Sequence, residues 1–448
     1  MDHRQRIVGQ DKALFEHILK SGRGFYTAVS ILSALVLLGV YAYVTQYRGG
    51  LMVTGLSRQI FWGVYITNFV FFIGISHAGT LISAVLRITD AEWRRPITRC
   101  AELITVIVLF FGVGSILIDL GRPDRMLYAI RYAQFQSPLL WDVGSIGLYL
   151  MASFVYLYLA LIPDIGFLRD HGGKRGWFYQ ILALGWNGSE KQHRRLGKGI
   201  SFMAILVIPV AVSVHTVVSF VFAMTIQPMW HSAIFGPYFV AGAIFSGIAA
   251  LIFTMAMIRK FYHLEEYLRP IHFNNLGILL LVMTLLWFYF TFAEYLTVFY
   301  SREPVQMAIF WSKVTGGFAP HFWAMFFFCF VVPLPILAFR KTRTIGGTLI
   351  ASLSVMIGMW LERYVIIVPT LTQQRLATGT PFYSPTWVEW SILAGCVSCF
   401  ILLYMVFTKF FPIVSIWEIR EGREKAVTVV SRRIRSYLPE QDTVEGPQ

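Results

Sequence analysis

The sequence predicts an all-α polytopic membrane protein with about ten transmembrane helices, arranged as two four-helix bundles plus flanking helices. Two observations carry that expectation. Hydrophobic residues make up 56% of the 448-residue chain and charged residues only 14%, with a mean hydropathy of +0.61. The apolar residues also fall in long runs, separated by short segments that hold most of the Lys and Arg. A soluble domain carries about 25% charged residues, and a water-exposed chain this poor in charge would present large apolar patches and aggregate. The net charge of +14 does not point to nucleic acid, because the basic residues lie in loops and tails rather than on one face of a compact domain.

A helix needs about 20 predominantly apolar residues to cross the hydrocarbon core. On that rule the spans are 26–46, 60–86, 97–119, 140–162, 199–225, 235–258, 273–299, 319–339, 345–368 and 387–410. The polar segment Met1 to Arg23, followed by a run long enough to span, reads as preceding a retained first helix rather than as a cleavable signal. An even number of spans puts both termini on one side. Of the 38 Lys and Arg, 29 fall in the two tails and the loops on the termini side, which places both termini in the cytoplasm of a bacterial inner membrane. The outer loops are then 47–59, 120–139, 226–234, 300–318 and 369–386, the last a candidate docking or lining segment.

The expected organisation is a cytoplasmic N-terminal tail (1–25), a first helix with its outer loop (26–59) and a first four-helix bundle (60–226). A second four-helix bundle (235–369), a last helix (387–410) and a cytoplasmic C-terminal tail (411–448) follow. The tail is basic and then acidic, and its last residues read as disordered. LALIPDIGFLRD closes span 4 and FVVPLPILAFRK closes span 8, a weak echo compatible with a parallel repeat about the membrane normal.

Ionisable groups at membrane depth are costly and are functional or paired. His77 in span 2, Glu102 near the inner end of span 3, His215 in span 5, Glu294 in span 7, and Glu362 with Arg363 in span 9 are of this kind. His77 and Glu102 are expected to share a level in the inner half of the membrane. Asp119 closes span 3 within IDLGRPDR, with Arg122 near enough in sequence to compensate it. Asp142 opens span 4 within SPLLWD, where Ser137, Pro138 and Trp141 are equally what a helix start at an interface looks like. Cys396 and Cys399 form a CxxC inside an apolar run, without the further ligands that a zinc or iron–sulfur site needs. Only His77 and His215 lie clearly within spans, so a cytochrome b with two haems lacks its second histidine pair.

The segments ISHAGTLISAVLRI, AEWRRPITRCAE, IDLGRPDR, SPLLWD, SVHTVVSFVFA and WHSAIFGPYFVAGAIFSG, taken in order, resemble the NrfD/PsrC family. The likeness covers about residues 60 to 410 and is strongest to the ten-helix branch that includes the ActC and ActF subunits of alternative complex III. The resemblance implies a subunit without a haem, metal or other redox cofactor of its own. It implies a quinone (menaquinone or ubiquinone) as substrate near the periplasmic face and an iron–sulfur protein docked on that face. Molybdopterin-like or multihaem cytochrome c subunits, a second NrfD-like subunit and membrane lipid are the further expected partners. In alternative complex III the quinol site is expected to use a histidine just before the Gly-Arg-Pro segment and the aspartate of SPLLWD. The second position is Asp142 here, whereas the first holds Asp119. A further family acid is replaced by Val221.

The quinone headgroup is therefore expected between Asp119, Asp142 and Arg122, with Trp141, Tyr128 and Tyr132 lining the mouth. A carboxylate within hydrogen-bond reach of the quinone oxygen is the required acid or base, so Asp142 and Asp119 are the catalytic candidates. His77, Glu102, His215 and Glu294 are the candidates for a proton path. A structural anchor that never meets quinone and a secondary transporter are the alternatives. The transporter would need convergent polar groups at mid-membrane, where the sequence offers few.

Overall fold

The computed structural model describes residues 22–171, 176–372 and 383–437. Ten helices are long and apolar enough to cross a membrane: α1 Arg23–Gly49, α2 Val64–Ile88, α3 Thr98–Asp119, α4 Pro138–His171, α5 Glu190–Ala223, α6 Phe235–Phe261, α7 Pro270–Ser301, α8 Ala319–Ala338, α9 Ile345–Thr372 and α10 Trp387–Phe410. There is no strand among the described residues. The chain is an all-α, multi-pass membrane protein.

The helix ends follow local chemistry. Ser189 caps α5 by accepting from Gln192 N. Pro270 opens α7, where its missing N–H costs nothing. Thr386 and Glu389 form a capping box on α10. α4 runs past Pro163 and Asp164, and α5 starts about nine residues before its apolar run. α8 contains a π-helical turn at Phe327–Val331 just before Pro333. A proline ring inside a helix collides with the carbonyl four residues back, and the wider turn relieves that crowding.

α2 and α6 are the innermost helices, packed against each other. α2 also contacts α3 and α5, α6 also contacts α7 and α9, and α4 lies on α5. α1 is mostly exposed, as a lipid-facing helix is, and its main partner is α10. A Cβ on Gly39 would stand 2.9 Å from the Gly395 Cα, so both glycines are needed for that crossing.

The connections define two faces. The termini face carries the starts of α1 and α3, the ends of α2 and α10, and a helix within the tail, α11 (Ile416–Tyr437). The far face carries the ends of α1, α3, α5 and α7 and the starts of α2, α4 and α10. The polar composition of the tail gave no sign of how firmly α11 docks. The outer segment 369–386 falls mainly on residues 373–382, which lie outside the described residues, as does 438–448.

Candidate functional site: buried acids and a polar line between the faces

Asp119 is the last residue of α3, at the far face. Its Oδ1 is buried without a hydrogen-bond partner. Arg122, expected to compensate it, is exposed and forms no ion pair among the described residues. Arg122 stands in the GRP turn beyond the end of α3. The ionisable groups within electrostatic reach of Asp119 are instead Tyr65 and Glu389. Tyr65 donates to Gln46 Oε1 at 2.5 Å, and Gln46 Nε2 donates to the Ile118 carbonyl at 2.9 Å, which ties α1 and α2 to the end of α3. Glu389 accepts from Gly55 N at 2.8 Å, Thr386 N at 2.9 Å and the Tyr383 hydroxyl at 2.5 Å, and so is fully satisfied.

Asp142 lies one turn into α4, because the helix begins at Pro138 rather than at 140. It is 5% exposed, its Oδ1 has no partner, and no charged neighbour acts on it among the described residues. Trp141 beside it is exposed and donates its indole N–H to the Phe135 carbonyl at 2.7 Å. Tyr128 and Tyr132 are exposed and meet edge to face at 5.6 Å. Leu127, Ile130 and Phe135 are exposed with them, so the loop before α4 presents an apolar, aromatic surface.

Deeper in the membrane, His77 and His215 touch ring to ring with centroids 3.7 Å apart. Metal–nitrogen bonds of about 2 Å on each side do not fit between rings that close. Both nitrogens of His77 face carbonyls, Ala211 and Ile73, whereas both nitrogens of His215 are buried and unpartnered. A neutral His77 can donate to one of its two carbonyls and an imidazolium to both.

A file of polar groups leads from this pair toward the termini face. Tyr149 packs on the His77 ring and bonds Thr80 at 2.5 Å and the Ser76 carbonyl at 2.9 Å. Ser83 donates to Glu102 Oε1 at 2.6 Å and lies 3.2 Å from the Tyr156 hydroxyl. Thr105, not Glu102, bonds the carbonyl next to His77. Glu102 therefore sits three residues, about 4.5 Å by the helical rise, nearer the termini face than the shared level expected from the sequence.

Toward the far face the file continues through α9. Arg363 is within electrostatic reach of His215, stacks over Phe239 at 4.9 Å and pairs with Glu362 at 3.0 Å. Gly242 makes room for it, since a Cβ there would meet Arg363 Nη2 at 2.6 Å. Glu362 also accepts from Trp287 Nε1 at 2.7 Å. Beyond it lies a cavity lined by Glu362, Tyr238, Glu294, Tyr295 and Lys313 among apolar side chains. Glu294 Oε2 is buried there without a partner.

The termini face is built differently. Arg99 pairs with Asp164 at 2.5 Å, both 1% exposed, and Asp164 also accepts from Ile416 N at 3.3 Å and Trp417 N at 3.1 Å. Glu418 accepts from Arg87 at 2.9 Å, from Arg94 at 3.2 Å and from Thr98 at 3.2 Å, while Arg95 donates to its carbonyl at 2.7 Å. Burial alone would raise the Glu418 carboxyl, but the Arg94 and Arg87 guanidiniums outweigh it and hold the group below the ordinary glutamate value.

Sequence reasoning passed over Glu389, Tyr65, Lys313, Asp164 with Arg99, and Glu418. The T-x-x-E spacing of Thr386 and Glu389 was a usable signal for one of them. Lys313 showed only as a lone cation in the aromatic segment PVQMAIFWSKV. Among the described residues there is no group of three or more His, Cys, Asp or Glu placed to hold a metal.

Comparison with known proteins covers most of this architecture. A protein of Halobacterium salinarum described as a "Putative dimethyl sulfoxide reductase membrane subunit" is 26% identical over 420 residues, 88% of this chain and 92% of its own. An Hdr-like menaquinol oxidoreductase integral membrane subunit of Archaeoglobus fulgidus is 24% identical over 416 residues, 87% of this chain and 94% of its own. A selenate reductase subunit of Mesobacillus selenatarsenatis is 24% identical over 411 residues, 86% and 93% of the two chains. The family model described as polysulphide reductase, NrfD, matches residues 52–375, which takes in α2 to α9 with every buried acid and histidine named above except Glu389 and Glu418, and the chain belongs to that family.

Proposed function

We propose that this chain is the quinone-handling membrane subunit of a respiratory electron-transfer complex, with the far face periplasmic and both termini cytoplasmic. Quinol, ubiquinol or menaquinol, is oxidised or quinone reduced near the ends of α3 and α4, and electrons pass to or from an iron–sulfur subunit docked over that face. The observation that carries this reading is Asp142: a carboxyl buried one turn inside a helix start, with an oxygen that no group among the described residues satisfies. Buried polar atoms are nearly always bonded, so an orphaned oxygen beside an exposed aromatic loop is what a site awaiting its substrate presents. A purely structural anchor gains nothing from it. One of the relatives is by name a menaquinol oxidoreductase subunit, which supports the same substrate class.

In this reading Asp142 exchanges a proton with one quinone oxygen and Asp119 serves the other, while Trp141, Tyr128 and Tyr132 form the mouth and Arg122 its charged rim. Oxidation of one quinol delivers two electrons to the docked partner and two protons to these carboxylates and then to water. Asp119 in place of histidine sets the chain apart from the ActC pattern within the ten-helix branch. General acid–base groups contribute about 10²–10⁴-fold, so Asp142→Asn in the co-purified complex is expected to lower quinol turnover by that order while assembly is retained. Unchanged turnover removes Asp142 from the mechanism.

The same reading extends to proton translocation. His77, His215, Glu102 and Glu294 stand along the polar file that joins the two faces, and such buried files are the usual material of proton relays. In vesicles that hold the complex, His77→Ala is expected to abolish charge translocation driven by a quinol. Normal translocation in that variant, or none in the parent complex, overturns the relay.

A further inference from the structure

We infer that Lys313 is the group that hands protons from the membrane interior to the far side, receiving them from Glu294. This rests on the relay proposed above and names its exit.

Lys313 lies in the last turn of a short helix, Pro304–Val314, in the loop between α7 and α8. Its side chain turns inward, is 3% exposed, and lines the cavity that also holds Glu294, Tyr295, Tyr238 and Glu362. Its backbone lies at the far face, where Thr315, Gly316 and Gly317, the residues next to Val314, are exposed. The cavity thus joins two groups of the relay, Glu362 and Glu294, to a lysine carried by a far-face loop.

Lys313 is not built as a counter-charge. A structural pair closes to contact, as Arg99 and Asp164 do at 2.5 Å. Lys313 makes no ion pair within 4.0 Å among the described residues; its ammonium stands 5.9 Å from the Tyr295 ring centre. Glu294 is near enough to act on it electrostatically, and Glu294 keeps one oxygen unpartnered in the same cavity. Burial brings the amine down from 10.5 to about 8, against the opposing pull of Glu294. A lysine so placed exchanges its proton close to working pH, which arginine cannot do.

The step is a balanced proton transfer. The Glu294 carboxylic acid gives its proton, through one water in the cavity between them, to the neutral Lys313 amine, leaving carboxylate and ammonium. The ammonium then releases that proton to far-side water, and Glu294 is recharged from the Glu362 side.

The test uses the whole complex in vesicles, driven by a short-chain quinol, with far-side proton release and quinol oxidation recorded together. Lys313→Met and Lys313→Arg are both expected to bring the ratio of protons released to quinol oxidised down to what quinol oxidation alone liberates. The double variant Glu294→Gln with Lys313→Met carries no unpaired charge and guards against loss of folding; the same fall is expected there. If Lys313→Arg retains the full ratio, Lys313 is a counter-charge and the inference is overturned. A normal ratio in Lys313→Met overturns it equally. If the parent complex releases only the protons of quinol oxidation, the relay itself is wrong and the exit falls with it.

Discussion

The two faces treat buried carboxylates in opposite ways. At the termini face Asp164 and Glu418 are 1% and 2% exposed; Arg99 and two backbone N–H groups hold Asp164, and Arg87, Arg94 and the Thr98 hydroxyl hold Glu418. In the far half Asp119, Asp142 and Glu294 are also withdrawn from solvent, yet each keeps an oxygen that no group among the described residues satisfies. Burial is common to both sets, so burial does not separate structural acids from working ones. Whether every carboxylate oxygen meets a hydrogen-bond donor among the described residues does. Two residues cross the divide and sharpen the rule: Glu389 is satisfied at the far face and acts as a fastener for α1, α2 and α10, while Glu102 keeps a free oxygen near the termini face and belongs with the relay.

The comparison is most exposed at Arg99. Removing one partner of a buried ion pair costs about 3–5 kcal/mol, because the other charge is left alone. Arg99→Ala is therefore expected to lose that much stability in detergent melting and to accumulate poorly. A loss below about 1 kcal/mol would mean that the termini face is not a lock.

Glu418→Gln comes next, at about 1.5–3 kcal/mol for hydrogen bonds that involve charged groups. The pH dependence has a definite sign. The Glu418 carboxyl is held below its ordinary 4.5, so its contribution is whole above that value and is lost as pH falls through the lower, folded value. The parent protein should lose stability on acidification below 4.5 more steeply than Glu418→Gln does. Parallel acid limbs would break the assignment.

Asp142→Asn has no partner to abandon and should leave the stability within about 0.5 kcal/mol of the parent in detergent melting, the range for changes away from special features. A severe loss of stability would move Asp142 into the structural class. A comparably small effect is expected at Glu92→Gln. Its pair with Arg95 is 2.6 Å long, but the Glu92 side chain is 62% exposed, and such pairs are worth about 0–1 kcal/mol.

The ten spans were legible because hydrocarbon imposes one requirement, about 20 apolar residues, on each of them. The errors fall where polar residues continue a helix past the lipid. Asp164 looked like the end of span 4 only because Arg99, 65 positions away, cannot be seen beside it in a linear chain. The candidate site was legible as types and depths: His77, His215 and Glu102 all lie at membrane depth, and the two histidines meet. Company was not legible. Asp119 was matched with Arg122 by nearness in sequence, whereas its electrostatic neighbours come from α2 and α10. Lys313 was counted as a loop cation, since nothing local says that a side chain turns inward.

The crossing of α1 and α10 at Gly39 and Gly395 bears on how the protein is made. At about 5–20 residues per second, α1 stays in the bilayer for roughly 20–70 s before its main partner leaves the ribosome. Until then the first helix is a tethered, loosely held segment, and a chain stopped short of α10 leaves it so for good. A helix made about 340 residues later is thus the clasp of α1.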